Sequence, residues 1–599
     1  MKNLVKLIIF IPLLILTSSC QEQVLNLRDP GSPTDDTFFE TEAQLEVALI
    51  GVYRSLNSTP GNVPFPLLLE YTADNTYNRG NVGGANAVTT GGITSTDGIV
   101  STFWNQFYQG IQRANNLLNN MNKAEAVTEP ARFQEIRAEA LFLRALFYSY
   151  LVELYGDVPF RESVATSLES LELPKTAKSV IVNNIIADLE EAADVLPVTV
   201  PASDRGRASA NAANALIARI ALYNEMYDVA EAAALKVMNS GETQLFSDYE
   251  SLFTRAGVGS SEVLLDMSYE EGVQVHRFAL QAGSRFGGWC QLVPAQQLVD
   301  NYETVNGLPI DEDPAFDPAN PFENRDPRLA ATIALPESEW SGHIVKIYSD
   351  SIATWRVDNG VKVARVFNPN ATSTAGRRLT DPVSGQEFVT GGANRFVSFT
   401  GYFWKKFADE PALTEGGVAP YLSEQSAYLM RYAEVLLTYA EAKIETGSID
   451  NSVLDALNEV RARGYSGSNA DYQPITTTNQ DELRRIVRRE RRIELAGEGF
   501  RLFDIRRWGI AEKMMNTVLL GAPANGWSKI GGELGFVPNI DEDGFPDYAG
   551  APTMARNELG NLDYRELEVR NFSARHYLWP IPQAEIDATD GLVTQNEGY

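Results

Sequence analysis

The segment from Glu70 to Arg79 combines residue types that recognise sugars. Tyr77 offers a flat aromatic face to the C–H surface of a sugar ring, while Asp74, Asn75 and Arg79 offer hydrogen bonds to its hydroxyl groups. Loops carried by a rigid scaffold commonly hold such residues. We therefore predict that Asp74, Asn75, Tyr77 and Arg79 contact a ligand. The alternative is that the segment is only a structural loop.

Aromatic residues in the central part of the chain form a second group of candidates. Trp289 follows two glycines, and Trp355 stands between the polar residues Thr354 and Arg356. These flanks favour exposure, so we predict that Trp289 and Trp355 also contact the ligand. The competing interpretation is burial, because large aromatic side chains supply much of any hydrophobic interior. For Trp104, which continues into a predicted helix, burial is our prediction.

The sequence carries no recognisable catalytic motif. It lacks the G-x-S-x-G nucleophile elbow, the phosphate-binding G-x-x-x-x-G-K-[ST] loop and the zinc-binding H-E-x-x-H pattern. The 3 histidines lie far apart, with no short metal-ligand spacing. A glycosidase needs only two well-placed carboxylates, and the 79 acidic residues leave that alternative open. We predict a protein without enzymatic activity and without a cofactor.

Two acidic turns contain oxygen ligands of the kind that calcium prefers. They are Asp311 to Asp313 with Asp317, and Asp541 to Asp543 with Asp547. Neither shows the calcium-binding loop of about twelve residues that ends in a bidentate glutamate. Solvated acidic turns are the simpler interpretation, so a structural calcium ion stays an unsupported alternative and no metal site is predicted.

The N-terminus has the pattern of a lipoprotein signal. Lysines and an apolar run ending at Leu16 precede the small residues Thr17-Ser18-Ser19 and then Cys20. A charged start, a short apolar core and small residues before the cut are typical of a secretory signal, and the run is too short to span a bilayer. We predict that residues 1–19 are removed and that Cys20 carries a lipid that holds the mature chain at a membrane.

The composition limits the partners of the 599-residue chain. Its formal net charge of −29 argues against nucleic acid, because such binding depends on neutralising phosphates with Lys and Arg. With Cys20 lipidated, Cys290 has no intrachain disulfide partner, so stability must come from packing. We therefore expect Cys290 to be a small buried residue.

Helical periodicity recurs through most of the chain and predicts a mainly α fold. Helices are expected at about 41–56, 101–122, 137–155, 179–195 and 479–497. Helical hairpins, each about as long as one tetratricopeptide repeat, are expected within 208–241 and 429–460. The scaffold of helical pairs then covers about 36–241 and 428–515. Long irregular, loop-rich insertions with short strands cover about 242–427, and an irregular segment, 516–599, closes the chain.

Charged residues within the predicted helices have a structural interpretation. Arg144, Arg431 and Glu434 are surrounded by apolar neighbours, so we expect them to pair with charges on other helices. The arginine-rich run from Arg484 to Arg492 is interleaved with glutamates at helical spacing. That pattern predicts a paired, partly solvated helix face rather than a site for phosphate or anionic lipid.

Several motifs occur together in an order typical of one family. Arg137-Ala-Glu-Ala-Leu-Phe-Leu-Arg144-Ala, followed by Leu154-Tyr155-Gly156-Asp157-Val158-Pro159, resembles the hallmark helix of the SusD/RagB family of outer-membrane nutrient-binding lipoproteins. The further matches are Tyr302-Glu303 with Asn306-Gly307; Asn324-Arg325-Asp326-Pro327-Arg328-Leu329; Arg431-Tyr432-Ala433-Glu434-Val435-Leu436-Leu437 with Tyr439-Ala440-Glu441-Ala442; Glu490-Arg491-Arg492-Ile493-Glu494-Leu495 with Glu498-Gly499-Phe500-Arg501 and Asp504; Arg507-Trp508-Gly509; and Gln595-Asn596-Glu597-Gly598-Tyr599. The resemblance runs from the signal to the last residue.

The resemblance implies one domain, residues 20–599, built on a tetratricopeptide-like scaffold with the insert at 242–427 facing a ligand. It implies a lipid-anchored protein of the outer membrane, exposed at the cell surface, that captures an oligosaccharide or polysaccharide and delivers it to a SusC-like TonB-dependent barrel transporter. The family is not known as enzymes. It usually places binding residues where Glu70 to Arg79 lie. The alternatives are a peptide-binding member, a purely structural lid and a glycoside hydrolase.

Overall fold

Antiparallel helical pairs form the frame of the protein in the computed structural model. The structure describes residues 38–57, 62–164, 172–270, 272–282, 290–335, 338–340, 343–344, 353–358, 361–366, 377–380, 387–390, 400–409, 422–468, 470–523, 536–549 and 564–599. Within these ranges the helices are α1 (Glu42–Tyr53), α2 (Phe65–Leu69), α3 (Asn86–Thr89), α4 (Gly98–Asn120), α5 (Pro130–Tyr155), α6 (Lys178–Val195), α7 (Ala210–Tyr223), α8 (Tyr227–Met238), α9 (Tyr249–Leu252), α10 (Phe278–Ala282), α11 (Gln296–Asn301), α12 (Pro327–Thr332), α13 (Tyr432–Glu445), α14 (Asn451–Gly464), α15 (Gln480–Glu494), α16 (Arg501–Arg507), α17 (Ala511–Met515) and α18 (Gln583–Ala588).

The strands are short and pair antiparallel in small sheets. They are β1 (Thr76–Asn78), β2 (Val158–Pro159), β3 (Lys175–Thr176), β4 (Val263–Met267), β5 (Leu292–Pro294), β6 (Ile333–Ala334), β7 (Glu339–Trp340), β8 (His343–Ile344), β9 (Ala353–Asp358), β10 (Val361–Val366), β11 (Arg377–Thr380), β12 (Glu387–Thr390), β13 (Phe403–Trp404), β14 (Ala427–Arg431), β15 (Val518–Pro523), β16 (Asn539–Ile540), β17 (Pro546–Asp547) and β18 (Tyr564–Val569). The pairs are β1–β5, β2–β3, β4–β14, β6–β13, β11–β12, β15–β18 and β16–β17, and β7 to β10 form one sheet in chain order. The mainly α fold is therefore confirmed.

Helix α5 shows how local sequence sets the limits of the scaffold helices. It begins at Pro130, whose missing N–H is not needed in a first turn, and stops at Gly156, which adopts a φ of 75°. Its apolar residues are buried on several sides, because α4 and α6 both pack against it. The contact with α4 is tight at Gly110, where a Cβ atom would lie 2.3 Å from the Phe147 ring.

The predicted hairpins are present and touch each other. Helices α7 and α8 form the first hairpin, α13 and α14 form the second, and α8 packs against α13. Alanines along α7 leave room for this close packing. One boundary differs from the prediction, since Leu429 belongs to β14 and α13 begins at Tyr432. The neighbouring residues Tyr428 and Met430 pair with β4, and this keeps Leu429 within the strand.

A buried network of ion pairs joins the second hairpin to α15. Glu494 lies 2.7 Å from Arg431 and 3.1 Å from Arg328, and it also pairs with Arg463. Glu490 reaches the same Arg328 at 2.9 Å. The predicted charge pairing is therefore confirmed, but the predicted partial solvation is wrong for this part of α15, because Glu490 and Glu494 are buried against other elements.

The structural interpretation of the other scaffold charges is confirmed. Arg144 pairs with Asp188 of α6 at 2.7 Å, and Glu434 pairs with Arg219 of α7 at 2.6 Å. Trp104 is buried, as predicted. Cys290 is also buried, as the sequence suggested, and its backbone has a φ of 48°.

The C-terminal segment is more ordered than predicted and closes onto the first helices. It contains β15 to β18 in place of a wholly irregular chain. Trp579 is buried and its backbone N–H donates to the Leu154 carbonyl at 2.7 Å, while the Asn596 amide donates to the Tyr155 carbonyl at 2.8 Å. The two ends of the described chain therefore share one hydrophobic core.

The membrane attachment predicted at Cys20 lies outside the described residues. Among the residues that are described, no helix is long and apolar enough to cross a membrane. The division of the chain into scaffold, ligand-facing insert and closing segment stays a prediction.

Candidate functional site

Strand β1 and the residues on either side of it include the four residues predicted from the sugar-recognition pattern. Tyr77 pairs with Val293 of β5 across the two-stranded sheet. The pairing is extended at both ends, since the Arg79 N–H donates to the Gln291 carbonyl and the Ala295 N–H donates to the Asn75 carbonyl. Tyr77 and Arg79 are therefore fixed by backbone hydrogen bonds on either side.

Asp74 lies at the base of this turn, buried between two arginines. Its Oδ1 accepts from Arg501 Nε at 2.7 Å, and its Oδ2 accepts from Arg492 at 2.9 Å. Burial alone would favour the protonated acid, but the guanidinium groups of Arg501 and Arg492 outweigh it and lower the pKa of Asp74. The carboxylate is 4% exposed and stays ionised. The Asp74 carboxylate thus joins the turn to Arg492 and Arg501 in the protein interior.

Asn75 is buried beside Asp74 and joins the same cluster. Its side-chain amide donates to Glu70 at 3.1 Å, and its Oδ1 accepts from Arg492 Nε at 2.9 Å. The other Glu70 oxygen accepts from the Gly499 N–H at 3.0 Å. Asn75 thus uses both ends of its amide inside the protein.

Tyr77 and Arg79 are half-buried, so each keeps a face toward solvent. Burial and the nearby carboxylate of Glu568 raise the pKa of Tyr77, while Arg79 opposes that effect. Arg570 fixes Glu568 in place, because it pairs with this carboxylate at 3.1 Å and also donates to the carbonyl of Thr76. We call Tyr77, Arg79 and Glu568 the Tyr77 patch.

The Tyr77 patch has a guanidinium and a carboxylate near enough to the Tyr77 ring to affect its pKa. Val569, next to Glu568, is 73% exposed, so this end of β18 faces solvent. A ring face with charged hydrogen-bonding groups beside it suits a polar ligand that also has apolar C–H surface. Sequence reasoning missed Glu568, and no local signal marks it because it lies almost five hundred residues beyond Tyr77.

The two tryptophans chosen from the sequence are not tested by the structure. Trp289 lies outside the described residues, although Gln291, close to it in the chain, contacts Arg79 through the backbone. Trp355 belongs to β9, where its backbone pairs with Ala364 of β10, and its side chain is not among the described parts. Both stay predictions as ligand contacts.

The acidic turns that raised the question of calcium have protein partners. Asp313 accepts from Thr304 and from Asn306, and Asp543 pairs with Lys513 at 2.7 Å. In the part of the chain that the structure describes, no group of three His, Cys, Asp or Glu side chains is placed to hold a metal ion.

Family comparisons cover most of the chain. Residues 262–599 match the model described as "SusD family", and residues 28–222 match the one described as "Starch-binding associating with outer membrane". A SusD-like protein of Formosa agariphila, P2, is 26% identical over 603 residues, which is 99% of this chain and 99% of that protein.

Solved structures agree with this assignment. A SusD-like carbohydrate-binding protein from Bacteroides fragilis has a TM-score of 0.74 and 27% identity, covering 92% of this chain and 99% of that one. Surface glycan-binding protein A from Bacteroides fluxus, at 20% identity, shares the fold with a TM-score of 0.62, covering 93% of this chain and 100% of that one.

Proposed function

We propose, from the premise that this chain belongs to the SusD family, that the Tyr77 patch binds an oligosaccharide or polysaccharide. The observation that carries the proposal is the β1–β5 pairing, which holds a half-buried Tyr77 and Arg79 beside Glu568. A solved relative at 27% identity is described as carbohydrate-binding, which supports the same ligand class.

The groups of the Tyr77 patch differ in the contacts that they can make with a sugar. Tyr77 supplies a ring face for stacking, and Arg79 and Glu568 supply a donor and an acceptor for hydroxyl groups. Asp74 and Asn75, which the sequence suggested as contacts, hold the turn from inside. We therefore assign them positioning roles in the proposed site.

The proposed mechanism is capture without chemical change. A few sugar contacts give weak affinity, with a Kd from about micromolar to about millimolar. A lipid on Cys20 would hold the protein at the outer membrane beside a SusC-like TonB-dependent transporter, and this raises the local concentration of captured ligand. Delivery to that transporter is the biological role that we propose.

Binding by the mature chain, produced without its signal and lipid, tests this function. The protein is titrated with a panel of neutral oligosaccharides and a panel of peptides, and the saccharides are analysed afterwards for cleavage. We expect one glycan class to bind uncleaved. Tyr77→Ala should weaken that binding about tenfold, since an aromatic contact contributes about 1–1.5 kcal/mol.

Tyr77→Phe is the matched control, because it keeps the ring and removes only the hydroxyl group. It should stay within about twofold of the parent, well below the tenfold step that corresponds to about 1.4 kcal/mol. Cleavage of a saccharide would contradict the capture mechanism. Binding of peptides alone would favour the peptide-binding alternative, and equal affinity of the Ala variant and the parent would remove Tyr77 from the site.

A further inference from the structure

Adjoining hollows surround the C-terminal end of α1. One has a volume of about 580 Å³ and is lined in part by Gln109, Arg113 and Gln274. The other, of about 220 Å³, is lined in part by Arg205. Arg54 and Asn57 line both, so the two hollows lie next to each other at these residues. We call these residues the α1 groove: Arg54, Asn57, Gln109, Arg113, Arg205 and Gln274.

The α1 groove is positively charged in a strongly acidic protein. Arg54 is exposed and makes no ion pair with any described residue. Arg113 is exposed too and donates to the Gly51 carbonyl and the Ser55 hydroxyl, neither of which carries charge. Neither guanidinium group therefore pairs with a carboxylate in the described part of the chain, although the whole chain has a net charge of −29.

The second hollow adds little negative charge. Asp266 is the one carboxylate among the described residues that line the two hollows. It is 4% exposed and faces Arg205 at 3.7 Å, while Arg205 itself remains 38% exposed. The cationic side chains are thus more accessible than the single carboxylate.

Amide groups in the groove supply hydrogen bonds beside the arginines. The Asn57 amide nitrogen donates to Gln274 Oε1 at 3.3 Å, but the buried Oδ1 of Asn57 has no hydrogen-bond partner among the described residues. Leaving such an oxygen unpaired is costly, so a ligand that donates to it gains affinity. Gln109 is exposed and presents a further donor and acceptor.

The floor of the groove is rigid, because helix α4 holds the residues that follow α1. The Gln106 amide donates to the carbonyls of Ser55 and Leu56 at 3.1 and 3.0 Å, and Arg113, about two helical turns further along α4, donates to the Ser55 hydroxyl. Fixed guanidinium and amide groups cost less entropy on binding than mobile ones.

The groove and the Tyr77 patch share no residue, since the groove borders α1 and α4 and the patch is built on β1 and β18. The turn after β1 contacts α4 near Ile99, where Gly84 would place a Cβ 3.5 Å from that side chain. Gln109 follows Ile99 by ten residues, or about 15 Å along a helix axis. Gln109 of the groove therefore lies well along α4 from the contact made by the segment that follows Tyr77.

We propose that the α1 groove is a second saccharide site, specific for sugars that carry an oxyanion, either a carboxylate or a sulfate ester. Arg54 and Arg113 bind the oxyanion, since guanidinium groups form paired, charge-assisted hydrogen bonds with such groups. Asn57, Gln109 and Gln274 bind the hydroxyl groups of the same ring.

The test is calorimetric titration of the mature chain with three probes of equal length. The probes are an oligogalacturonate, a sulfated malto-oligosaccharide and the neutral malto-oligosaccharide. We expect at least one acidic probe to bind about tenfold tighter than the neutral one at about 20 mM NaCl, and to lose most of this advantage at about 200 mM. The probe that binds identifies the source of the oxyanion.

Variants locate the binding. Arg54→Glu should lower the affinity for the acidic probe by about tenfold or more, whereas Arg485→Glu should change that affinity by less than about twofold. Arg485 is a matched control, because it is also exposed and without an ion pair among the described residues. Gln109→Ala is a second groove variant with no charge change, and it too should weaken binding. Tyr77→Ala should leave the acidic probe bound.

Several results would overturn the proposal. One is that neither acidic probe binds. Another is that Arg54→Glu and Arg485→Glu lose the same affinity for the acidic probe. The last is that Tyr77→Ala no longer binds the acidic probe. The last result would move the oxyanion to the Tyr77 patch. The two proposals can also be told apart. If no neutral oligosaccharide binds, but the acidic probe binds to the parent and not to Arg54→Glu, the proposed function of the Tyr77 patch is rejected and the proposal for the α1 groove stands.

Discussion

Replacing Asp74 by asparagine should destabilise the protein although the two side chains have nearly the same shape. Asp74 is the carboxylate between Arg492 and Arg501, and each of these three residues is 4% exposed. Removing the charge leaves two buried guanidinium groups facing each other. Breaking a buried ion pair by removing one partner costs about 3–5 kcal/mol, and we expect Asp74→Asn to fall in that range.

The size of the protein sets the shift in melting temperature that corresponds to this loss. A chain of this length that unfolds as one unit has an unfolding entropy of about 1.2 kcal/mol per kelvin. A loss of about 3–5 kcal/mol in the free energy of unfolding therefore lowers the melting temperature by about 3–4 °C. Differential scanning calorimetry measures the shift. Asp543→Asn is the matched control, because Asp543 pairs with a 40% exposed Lys513 that keeps Asp541 as a partner.

The control should change the stability by less than about 1 kcal/mol, as is usual for exposed ion pairs. Adding Arg501→Met to Asp74→Asn should recover part of the loss, since it removes one of the unpaired charges. Equal melting temperatures for Asp74→Asn and Asp543→Asn would refute the reasoning. They would mean that the carboxylate between the two arginines contributes no more than a surface pair does.

Three further predictions address acid stability, packing and membrane attachment. Burial lowers the pKa of His276 to about 4, and its Nε2 lies 2.7 Å from the Gln425 carbonyl. The neutral ring therefore contributes stability that is present above about pH 6.5 and is lost as the pH falls toward 4. Urea unfolding measures this loss. Between pH 7 and 4.5 the free energy of unfolding of the parent should fall by about 2–3 kcal/mol more than that of His276→Gln. Gly110→Ala should lower the free energy of unfolding by about 1–3 kcal/mol, because the added Cβ meets the Phe147 ring. Gly98→Ala, where nothing lies within 4 Å of the added Cβ, should be close to neutral. Similar losses of stability at both glycines would contradict this packing. Cys20→Ser should move the protein from the membrane fraction to the soluble fraction of cells without changing its sugar affinity in solution, and continued membrane attachment would disprove the lipid anchor.

The scaffold could be predicted from the sequence because its signals are local. Periodicity placed most helix limits within about three residues, and glycine at position 156 marked the end of α5, although α5 begins at Pro130 and the predicted helix began at residue 137. Apolar neighbours correctly indicated that Arg144 and Glu434 pair inside the protein. The error at Leu429 also has a local cause, since an apolar residue next to a helix fits either a strand or the first helical turn.

The site was harder to predict because its partners are distant in the chain. Asp74 and Asn75 have the composition of an exposed polar turn, and nothing near them indicates that Arg492 and Arg501 will cover them. The same limitation applies to Glu490, whose partner Arg328 lies on α12 rather than on α15. Spacing along a helix predicts contacts within that helix and gives no information about long-range ones.

The long reach of these contacts sets an order of assembly. The turn that carries the Tyr77 patch is synthesised early, but the arginines that neutralise Asp74 follow more than four hundred residues later, and Arg570, which contacts the carbonyls of Ala73 and Thr76, follows later still. Contacts of such sequence separation form slowly. The N-terminal part of the chain therefore stays incompletely folded until the last part is made, and a chain truncated before Arg570 would leave the turn of the Tyr77 patch without these hydrogen bonds.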